Sequence, residues 1–304
     1  MRMRRLHAGR TRAKTPPMLT ARSGDALAQA LATLRAGGRT LTLVPTMGAL
    51  HDGHLALIAA ARALGGAVAA SIFVNPTQFG PSEDLARYPR DEAGDIAKLA
   101  AAGCDLAWLP DVGTMYPPGD VTAIEVEGPA RRWEGDARPG HFRGVATVVA
   151  KLFGHVRPDA AVFGEKDWQQ LQVIRRMAAD LLLPVRIVGA PVVREADGLA
   201  MSSRNRFLTA AERAVAPALY QQLIAAAAAM RAGADIGQAL DDARNALRRA
   251  GLRTEYLALV DGAHLAPIEA PAPVLPDDAR LIAAAALGSV RLLDNVGLAA
   301  PPAR

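Results

Sequence analysis

Short apolar runs alternate with amphipathic stretches along the first two thirds of the chain. The runs have the length of buried strands, and the stretches between them place apolar residues at helical spacing. This alternation predicts an α/β fold, a Rossmann-like doubly wound parallel sheet with right-handed crossovers. The predicted strands are 41–44, 68–74, 104–109, 160–163 and 185–188. The predicted helices are 23–35, 91–102, 144–154 and 168–180. A further helix is predicted after His54, with Leu55, Ile58 and Ala59 on its apolar face.

The pattern changes near residue 193, where Ala-rich helices and short strands begin. We predict a smaller α+β domain there, because Asp, Gly and Pro turns separate the strands. Pro and Gly also interrupt the stretch before helix 144–154, which predicts an irregular segment over 110–143. The predicted helices of the second domain are 210–231 and 236–250, and its predicted strands lie around 255–260, 280–286 and 290–293.

Composition limits the classes of protein that fit. The chain has 304 residues, of which 51% are hydrophobic, so one large or two modest domains can bury a sizeable core. No apolar run approaches the roughly 20 residues that span a bilayer. The single cysteine, Cys104, excludes an intrachain disulfide and a cysteine–metal cluster. Because Cys104 lies in an apolar stretch, we expect it to be a small buried side chain.

The net charge of +5 comes from one end of the chain. Residues 1–24 hold seven Lys and Arg and no acidic residue, whereas the rest holds 28 basic and 30 acidic residues. The basic end has no apolar core of the kind found in a secretory signal. We predict that 1–22 is a disordered extension, followed by a first domain over 23–192 and a second over 193–304. We expect no nucleic-acid partner, no membrane partner and a cytoplasmic location.

Two histidines occupy the turn after the first predicted strand of the sheet. The segment PTMGALHDGH places His51 and His54 three residues apart, so both can point the same way from a first helical turn. Such a turn has unpaired N–H groups and the positive end of the helix dipole, and it favours phosphate. The alternative is a helix start that contains two histidines by chance. Active residues of a doubly wound sheet follow the strands, as do His51, His54, Asn75, Gln78 and Lys166.

Two further loops have the chemistry of an anion site. Lys166 precedes a helix, where a cation is unfavourable unless an anion is present, and Gln170 follows one turn later. Ser202, Ser203 and Arg204 lie together in a polar loop that could hold a triphosphate. A solvated lysine and a serine that caps a helix are the simpler alternatives. The sequence has no GxxxxGK[ST] motif and no GxGxxG after the first strand, which counts against a P-loop and an NAD-binding fold.

The combination resembles the HIGH and KMSKS elements of nucleotidylyl transferases, and most closely the pantothenate synthetase (pantoate–β-alanine ligase) family. The resemblance runs from about residue 41 to 295. It rests on PTMGALHDGH, SIFVNPTQF, DLARYPR, RPGHFRGV, FGEKDWQQL, READGLAMSSRN and RLLDN. It implies a two-step reaction, in which pantoate attacks the α-phosphorus of ATP to form pantoyl adenylate, and β-alanine then releases pantothenate and AMP.

The resemblance also implies a role for each matching residue. His54 matches a residue given an acid role, His51 its phosphate-contacting partner, and Lys166 and Arg204 the cations that act with them in catalysis. The first domain would bind ATP and pantoate, and the second would act as a lid. The ATP-binding residues would be Pro45, Met47, Gly48, His51, His54, Gly164, Lys166, Asp167, Val193, Met201, Ser202, Ser203 and Arg204, and those for pantoate and β-alanine would be Gln78, Gln170, Asn75 and Met47.

The implied cofactor is Mg²⁺, and the implied assembly is a homodimer. The acidic position on the metal side of the family's site matches Asp95, but Gly94 replaces a carboxylate that relatives often have. The ion would therefore be held mainly by the phosphates of ATP, which Mg²⁺ prefers over an all-protein cage.

Two other functions fit parts of the sequence. Another HIGH-type nucleotidylyl transferase would join AMP to a phosphorylated acceptor, but the paired glutamines and the small second domain argue against it. A nucleic-acid-binding module would explain the basic end, but the body of the chain has a net charge of −2 and no organised basic surface.

Overall fold

The computed structural model describes residues 17–80, 85–269 and 275–299. Most of the predicted basic extension, residues 1–16, therefore lies outside the described residues. Its predicted end at residue 22 is wrong, because Leu19–Ala21 forms a strand and Ala21 is only 1% exposed. No helix among the described residues is long and apolar enough to cross a membrane.

The first domain is built on a six-stranded parallel sheet, as the alternation of strands and helices predicts. Its order is β1-β4-β3-β2-β5-β6, so the chain turns back at β2, between β3 on one side and β5 on the other. The strands are β1 (Leu19–Ala21), β2 (Leu41–Thr46), β3 (Ala67–Ile72), β4 (Leu106–Trp108), β5 (Ala160–Gly164) and β6 (Arg186–Ala190).

Helices cover both faces of this sheet. One apolar core lies between the sheet and α1, α6 and α7, and a second lies between the sheet and α2 and α3. Cys104 is buried in the second core, as predicted, and burial raises the pKa of its thiol to about 11. The helices are α1 (Gly24–Leu34), α2 (Asp52–Ala63), α3 (Glu92–Ala101), α4 (Val112–Met115), α5 (Glu134–Ala137), α6 (His141–Val156) and α7 (Trp168–Asp180).

The second domain packs two helices on a three-stranded antiparallel sheet of order β7-β8-β9. The single predicted helix over 210–231 is wrong, because Pro217 lies between two separate helices. Proline lacks the N–H that a continuous helix would need there. The elements are α8 (Ala210–Val215), α9 (Ala218–Arg231), α10 (Ile236–Arg249), β7 (Arg253–Val260), β8 (Arg280–Leu287) and β9 (Val290–Gly297).

Two other differences from the sequence-based prediction concern helix starts. Helix α2 begins at Asp52, with His51 as its N-cap; on its buried face lie Ile58 and Ala61, whereas Ala59, predicted on that face, is exposed. Helix α6 begins at His141 and not at 144, because Gly140 has a φ of +82° and breaks the chain just before it. A glycine adopts this left-handed backbone without strain.

Candidate active site

A cavity of about 280 Å³ opens at the carboxyl ends of the parallel strands, between the two domains. It lies where the sheet reverses its strand order, next to the turn after β2 and the loop after β5. A crevice at such a point is the usual binding site of an open α/β sheet. The cavity wall contains all the predicted ATP and pantoate residues except Gly48, and the predicted metal residue Asp95 also lies outside it.

His51 and His54 hold each other in place at the start of α2. The Nδ1 atom of His51 accepts the N–H of Gly53 at 3.2 Å, and Nδ1 of His54 accepts the N–H of His51 at 3.3 Å. Because each Nδ1 accepts, the proton of each neutral ring is on Nε2. The ring centroids are 4.1 Å apart, so the pair presents two adjacent donors.

The electrostatic surroundings keep both rings neutral near pH 7. Burial lowers the pKa of His54 to about 3, with a further contribution from the adjacent His51. Burial and the positive charge of Lys166 lower the pKa of His51 as well. A neutral ring with a fixed Nε2–H donates hydrogen bonds without carrying a charge of its own. The site therefore favours His54 as a hydrogen-bond donor over the acid role that the resemblance implies.

Helix α3 fixes the backbone of the turn that leads to the histidines. Asp95 is 1% exposed, and its two carboxylate oxygens accept the N–H groups of Ala49 and Leu50, each at 2.8 Å. Lys98 donates to the carbonyl of Leu50 at 2.8 Å. Gly48 has a φ of +81°, and a Cβ there would lie 2.9 Å from Asp95, so glycine suits the tight turn. These contacts make Asp95 a support of the turn and do not favour a place on the metal side of the site.

The cavity wall has no ready-made cage for Mg²⁺. Among the described residues, no three His, Cys, Asp or Glu side chains form a group that could hold a metal ion. The three acidic side chains in the wall, Asp167, Glu134 and Asp294, are each paired with a basic residue. The protein residues do not fit a bound Mg²⁺, which leaves phosphate oxygens as its natural ligands.

Lys166 and Arg204 reach the same part of the cavity from different domains. Lys166 lies in the 3₁₀ turn Glu165–Asp167 after β5, and its Nζ is 3.4 Å from Oδ1 of Asp167. Burial opposes the ionisation of Asp167, but the charges of Lys166 and Arg204 outweigh burial and lower its pKa. The effect of both cations on one carboxylate places two positive charges near Asp167, and Lys166 also acts on both histidines.

The two loops predicted to bind ATP meet at Gly53. A Cβ on this glycine would lie 2.8 Å from the ring of His51 and 3.5 Å from Cβ of Met201. Ser202 caps its own loop by accepting the N–H of Arg204 at 3.3 Å. Met201 donates its N–H to the carbonyl of Val193 at 2.9 Å, which brings the predicted adenine contact to the same wall.

Gln78 lines the cavity and is held by its neighbours. Its Nε2 contacts Sδ of Met47 at 3.0 Å, and its Oε1 accepts from Nδ2 of Asn75 at 3.1 Å. Thioether sulfur is a weak acceptor, so the Gln78 amide retains donor capacity for a ligand. Asn75 is 1% exposed and also bonds the carbonyl of Gly144 and the hydroxyl of Tyr116, so it supports Gln78.

Adjacent glutamines on α7 have different surroundings. Gln169 is 5% exposed and binds main-chain groups of the preceding loop: its Oε1 accepts the N–H of Glu134, and its Nε2 donates to the carbonyl of Pro129. Gln170 is half-buried and lines the cavity, as predicted for a residue that contacts the substrate. Both side chains belong to the cavity wall, but the Gln169 amide is occupied by main-chain groups of the preceding loop.

The cavity also contains residues to which the sequence analysis gave no role. His141 bonds the carbonyl of Gln78 through Nδ1 at 2.9 Å and accepts from Arg138 at Nε2. Burial raises the pKa of Tyr88, which hydrogen-bonds Ser203 of the second domain. Several of these residues belong to the motifs RPGHFRGV, DLARYPR and RLLDN, so the sequence could have identified them as candidates. The additional polar residues of the wall include Tyr88, Glu134, Arg138, His141, Gln169, Arg291, Asp294 and Asn295.

Comparisons with known proteins show the family to which the chain belongs. The family model described as pantoate-beta-alanine ligase matches residues 20–297. The pantothenate synthetase of Granulibacter bethesdensis is 61% identical over 93% of this chain and 98% of its own length, and that of Acidiphilium cryptum is 62% identical over 90% and 97%.

Solved structures are similar over nearly the whole fold. Pantothenate synthetase from Thermus thermophilus superposes with a TM-score of 0.86 at 47% identity, over 93% of this chain and 100% of the other. Pantoate-beta-alanine ligase from Francisella tularensis, solved with Beta-gamma ATP and beta-alanine, has a TM-score of 0.75 at 31% identity, over 94% and 100%.

Proposed function

The chain belongs to the pantoate–β-alanine ligase family, and from this premise we propose that ATP, pantoate and β-alanine react in the cavity between its two domains. The reaction of the family is the condensation of pantoate with β-alanine. The Francisella tularensis relative was solved with two of the ligands that this proposal requires. The observation that supports the proposal most is the convergence of Lys166, Arg204 and the two histidines on one wall.

In the first step, a carboxylate oxygen of pantoate attacks the α-phosphorus of ATP. A new P–O bond forms, the bond to the β-phosphate oxygen breaks, and pyrophosphate leaves with its electron pair. Lys166 and Arg204 supply positive charge where the leaving group develops negative charge. The Nε2–H groups of His51 and His54 donate to phosphate oxygens without first losing or gaining a proton. Magnesium would enter with ATP, bound to its phosphates.

In the second step, the amine of β-alanine attacks the acyl carbon of pantoyl adenylate. The C–N bond forms, the bond between the carbon and the AMP oxygen breaks, and the amine loses a proton. Neutral amides suit pantoate, because its hydroxyls and carboxylate need both donors and acceptors. Gln78 and Gln170 would supply these groups, with Met47 beside Gln78 and Asn75 behind it.

We assign the remaining predicted ATP-binding residues of the wall to the nucleotide. Val193, Met201 and Pro45 would contact the adenosine, while Gly164, Asp167, Ser202 and Ser203 would surround the ribose and phosphates. The second domain, residues 193–304, would act as a lid, because it brings Arg204 to the wall that contains Lys166. Closure of such a lid over ATP would exclude water from the adenylate.

Product analysis tests this function. The chain is mixed with pantoate, β-alanine, ATP and Mg²⁺, and the nucleotide products are separated. We expect AMP, pyrophosphate and pantothenate in equal amounts. Formation of ADP and inorganic phosphate would contradict attack at the α-phosphorus. Omitting pantoate controls for simple ATP hydrolysis, and replacing it with a phosphorylated acceptor tests for another nucleotidylyl transferase.

Separate half-reactions test Lys166 and Arg204. If both face the leaving pyrophosphate, Lys166→Ala and Arg204→Ala should slow ATP–pyrophosphate exchange far more than amide formation from preformed pantoyl adenylate. Equal losses in both steps would place the two cations on the adenylate and not on the leaving group. The double variant should show coupling, since the two groups act on one substrate.

We also propose a homodimer, which the family resemblance implies. An apolar side chain that could lie in such an interface is Val121, which is 92% exposed in a segment outside the described helices and strands. Analytical ultracentrifugation should give twice the chain mass of 31.8 kDa. A monomer at the concentration of the activity assay would contradict the dimer.

A further inference from the structure

Asn295 of the second domain binds the loop that contains Lys166 of the first. Asn295 lies in β9 and is 3% exposed. Its Nδ2 donates to the carbonyls of Glu165 and Lys166, each at 2.9 Å. Both amide hydrogens are therefore used on the two carbonyls next to the Lys166 side chain. The contact joins the domains at the residue proposed to bind the ATP phosphates.

The orientation of the Asn295 amide is set by a second group. Its Oδ1 accepts a hydrogen bond from Nη1 of Arg280, which cannot accept one. The guanidinium carbon of Arg280 lies 3.5 Å from the ring centroid of Trp168, and Trp168 in turn donates to the carbonyl of Gly262 at 2.7 Å. The amide is thus held with its donor side toward the Lys166 loop.

This contact fixes more than two carbonyl groups. A peptide unit is planar, with its N–H directed opposite to its C=O. Fixing the carbonyls of Glu165 and Lys166 also fixes the N–H groups of Lys166 and Asp167. Among the residues that the structure describes, no side chain caps the N-terminal N–H groups of the 3₁₀ turn or of α7. Asn295 therefore fixes the position of backbone N–H groups that could bind an anion. It also fixes the backbone from which the Lys166 side chain extends.

We propose that Asn295 is a positioning residue, which acts through Lys166 to set the affinity of the cavity for the ATP phosphates. Both amide hydrogens of Asn295 are bonded to the Lys166 loop, so Asn295 affects the affinity for ATP through the position of that loop. Arg280 keeps the amide in the required orientation. The inference rests on the proposed function, because that function assigns Lys166 to the phosphates.

A double-mutant cycle on the full chain tests this inference. The readout is the dissociation constant for α,β-methylene ATP with Mg²⁺, measured by calorimetry, so no turnover is needed. Asn295→Asp retains the acceptor for Arg280 but replaces the NH₂ group that faces the two carbonyls with a carboxylate oxygen, which cannot donate to them. We expect binding to weaken about tenfold in the native background, since buried carbonyls are left unpaired. In the Lys166→Ala background, the same substitution should weaken binding by less than about threefold.

A matched control separates positioning from general weakening of the domain interface. Trp133 donates to the carbonyl of Leu265 at 3.0 Å, an interdomain hydrogen bond that involves neither Asn295 nor the carbonyls of the Lys166 loop. Trp133→Phe removes this hydrogen bond and should leave the affinity for the ATP analogue unchanged. Asn295→Ser provides a second variant with a smaller side chain.

The outcomes distinguish the inference from the proposed function. Equal weakening in the native and Lys166→Ala backgrounds would overturn the positioning role, and so would loss of folding in both Asn295 variants, because the contact would then be structural. Failure of the native chain to bind the ATP analogue would instead contradict the proposed function. Folding is checked by thermal melting.

Discussion

The ring of His54 accepts the backbone N–H of His51, and this contact determines which nitrogen of His54 faces the cavity. The His51 ring accepts the N–H of Gly53 in the same way, so the two side chains form a reciprocal cap at the start of α2. A local capping motif thus leaves two neutral Nε2–H donors toward the proposed phosphate site. The structural cap and the proposed chemistry use opposite sides of the same rings.

Replacing His54 with alanine should damage adenylation far more than folding. Loss of one donor at a developing negative charge typically slows a reaction about 100- to 1,000-fold. Loss of a cap typically costs about 1 kcal/mol of the free energy of unfolding. Pantoate-dependent ATP–pyrophosphate exchange and urea unfolding measure the two effects. His264→Ala is the control, since the His264 side chain is 81% exposed and lies outside the cavity wall; near-native exchange in His54→Ala would contradict the assignment.

The low pKa of His54 predicts a specific loss of stability in acid. Burial lowers its pKa to about 3, below the ordinary value of 6.5. Between these pH values the unfolded chain binds a proton that the folded chain does not bind, so the free energy of unfolding falls as the pH falls. Carboxylates titrate in the same range, and comparison with His54→Asn isolates the histidine. The variant should lose less stability between pH 6.5 and pH 3 than the native chain; parallel curves would contradict this prediction.

Asp95→Asn should weaken the turn after β2 without creating a magnesium requirement. Asparagine keeps one acceptor but directs an NH₂ group at a backbone N–H, and a mismatched buried group costs about 1–3 kcal/mol. Thermal melting should show the loss, and the Michaelis constant for ATP should rise because the histidine turn shifts. The activity should not recover at higher Mg²⁺ concentration.

Asp91→Asn is the control for Asp95→Asn. Asp91 caps the same helix, since it accepts the N–H of Gly94 at 3.0 Å, but Asp91 is exposed to solvent. This substitution should leave the Michaelis constant for ATP unchanged. Recovery of Asp95→Asn by added Mg²⁺ would instead support a place for Asp95 on the metal side of the site.

The neighbouring glutamines of α7 should respond in opposite ways to leucine. Gln170→Leu should raise the Michaelis constant for pantoate about tenfold with little change in that for ATP, because a substrate oxygen loses its partner. Gln169→Leu should instead lower the melting temperature, because it leaves the Glu134 N–H and several carbonyls unpaired. Steady-state kinetics and melting measure both variants. If Gln170→Leu changed only the Michaelis constant for ATP, Gln170 would belong to the ATP subsite, which would contradict its assignment to pantoate.

The sequence predicts the α/β fold because the periodic signal is strong in long elements. It fails where a short or local feature decides the structure. Strand β1 has three residues, and its partner in the described part of the chain is β4, whose residues lie more than 80 positions later. The predicted burial of Ala59 is also wrong, because the face of α2 that packs on the sheet contains Ile58 and Ala61, and this choice depends on tertiary packing.

The sequence predicts which residues line the candidate site better than it predicts the contacts between them. Strand ends of a parallel sheet meet at one edge, which is why the sequence alone groups His54, Gln78 and Lys166. The support that Asp95 gives to the turn could not be read from spacing, since a buried carboxylate and a metal ligand have the same residue type. The contact of Asn295 with the Lys166 loop depends on how two domains pack, a relationship that local periodicity does not contain.

Transfer of oxygen from pantoate to AMP tests the central claim most directly. Pantoate labelled with ¹⁸O in both carboxylate oxygens is incubated with β-alanine, ATP and Mg²⁺, and the products are analysed by mass spectrometry. If the carboxylate attacks the α-phosphorus and β-alanine then attacks the acyl carbon, one ¹⁸O atom should appear in the phosphate of AMP and one should remain in pantothenate. Label in inorganic phosphate or pyrophosphate, with none in AMP, would contradict the adenylate.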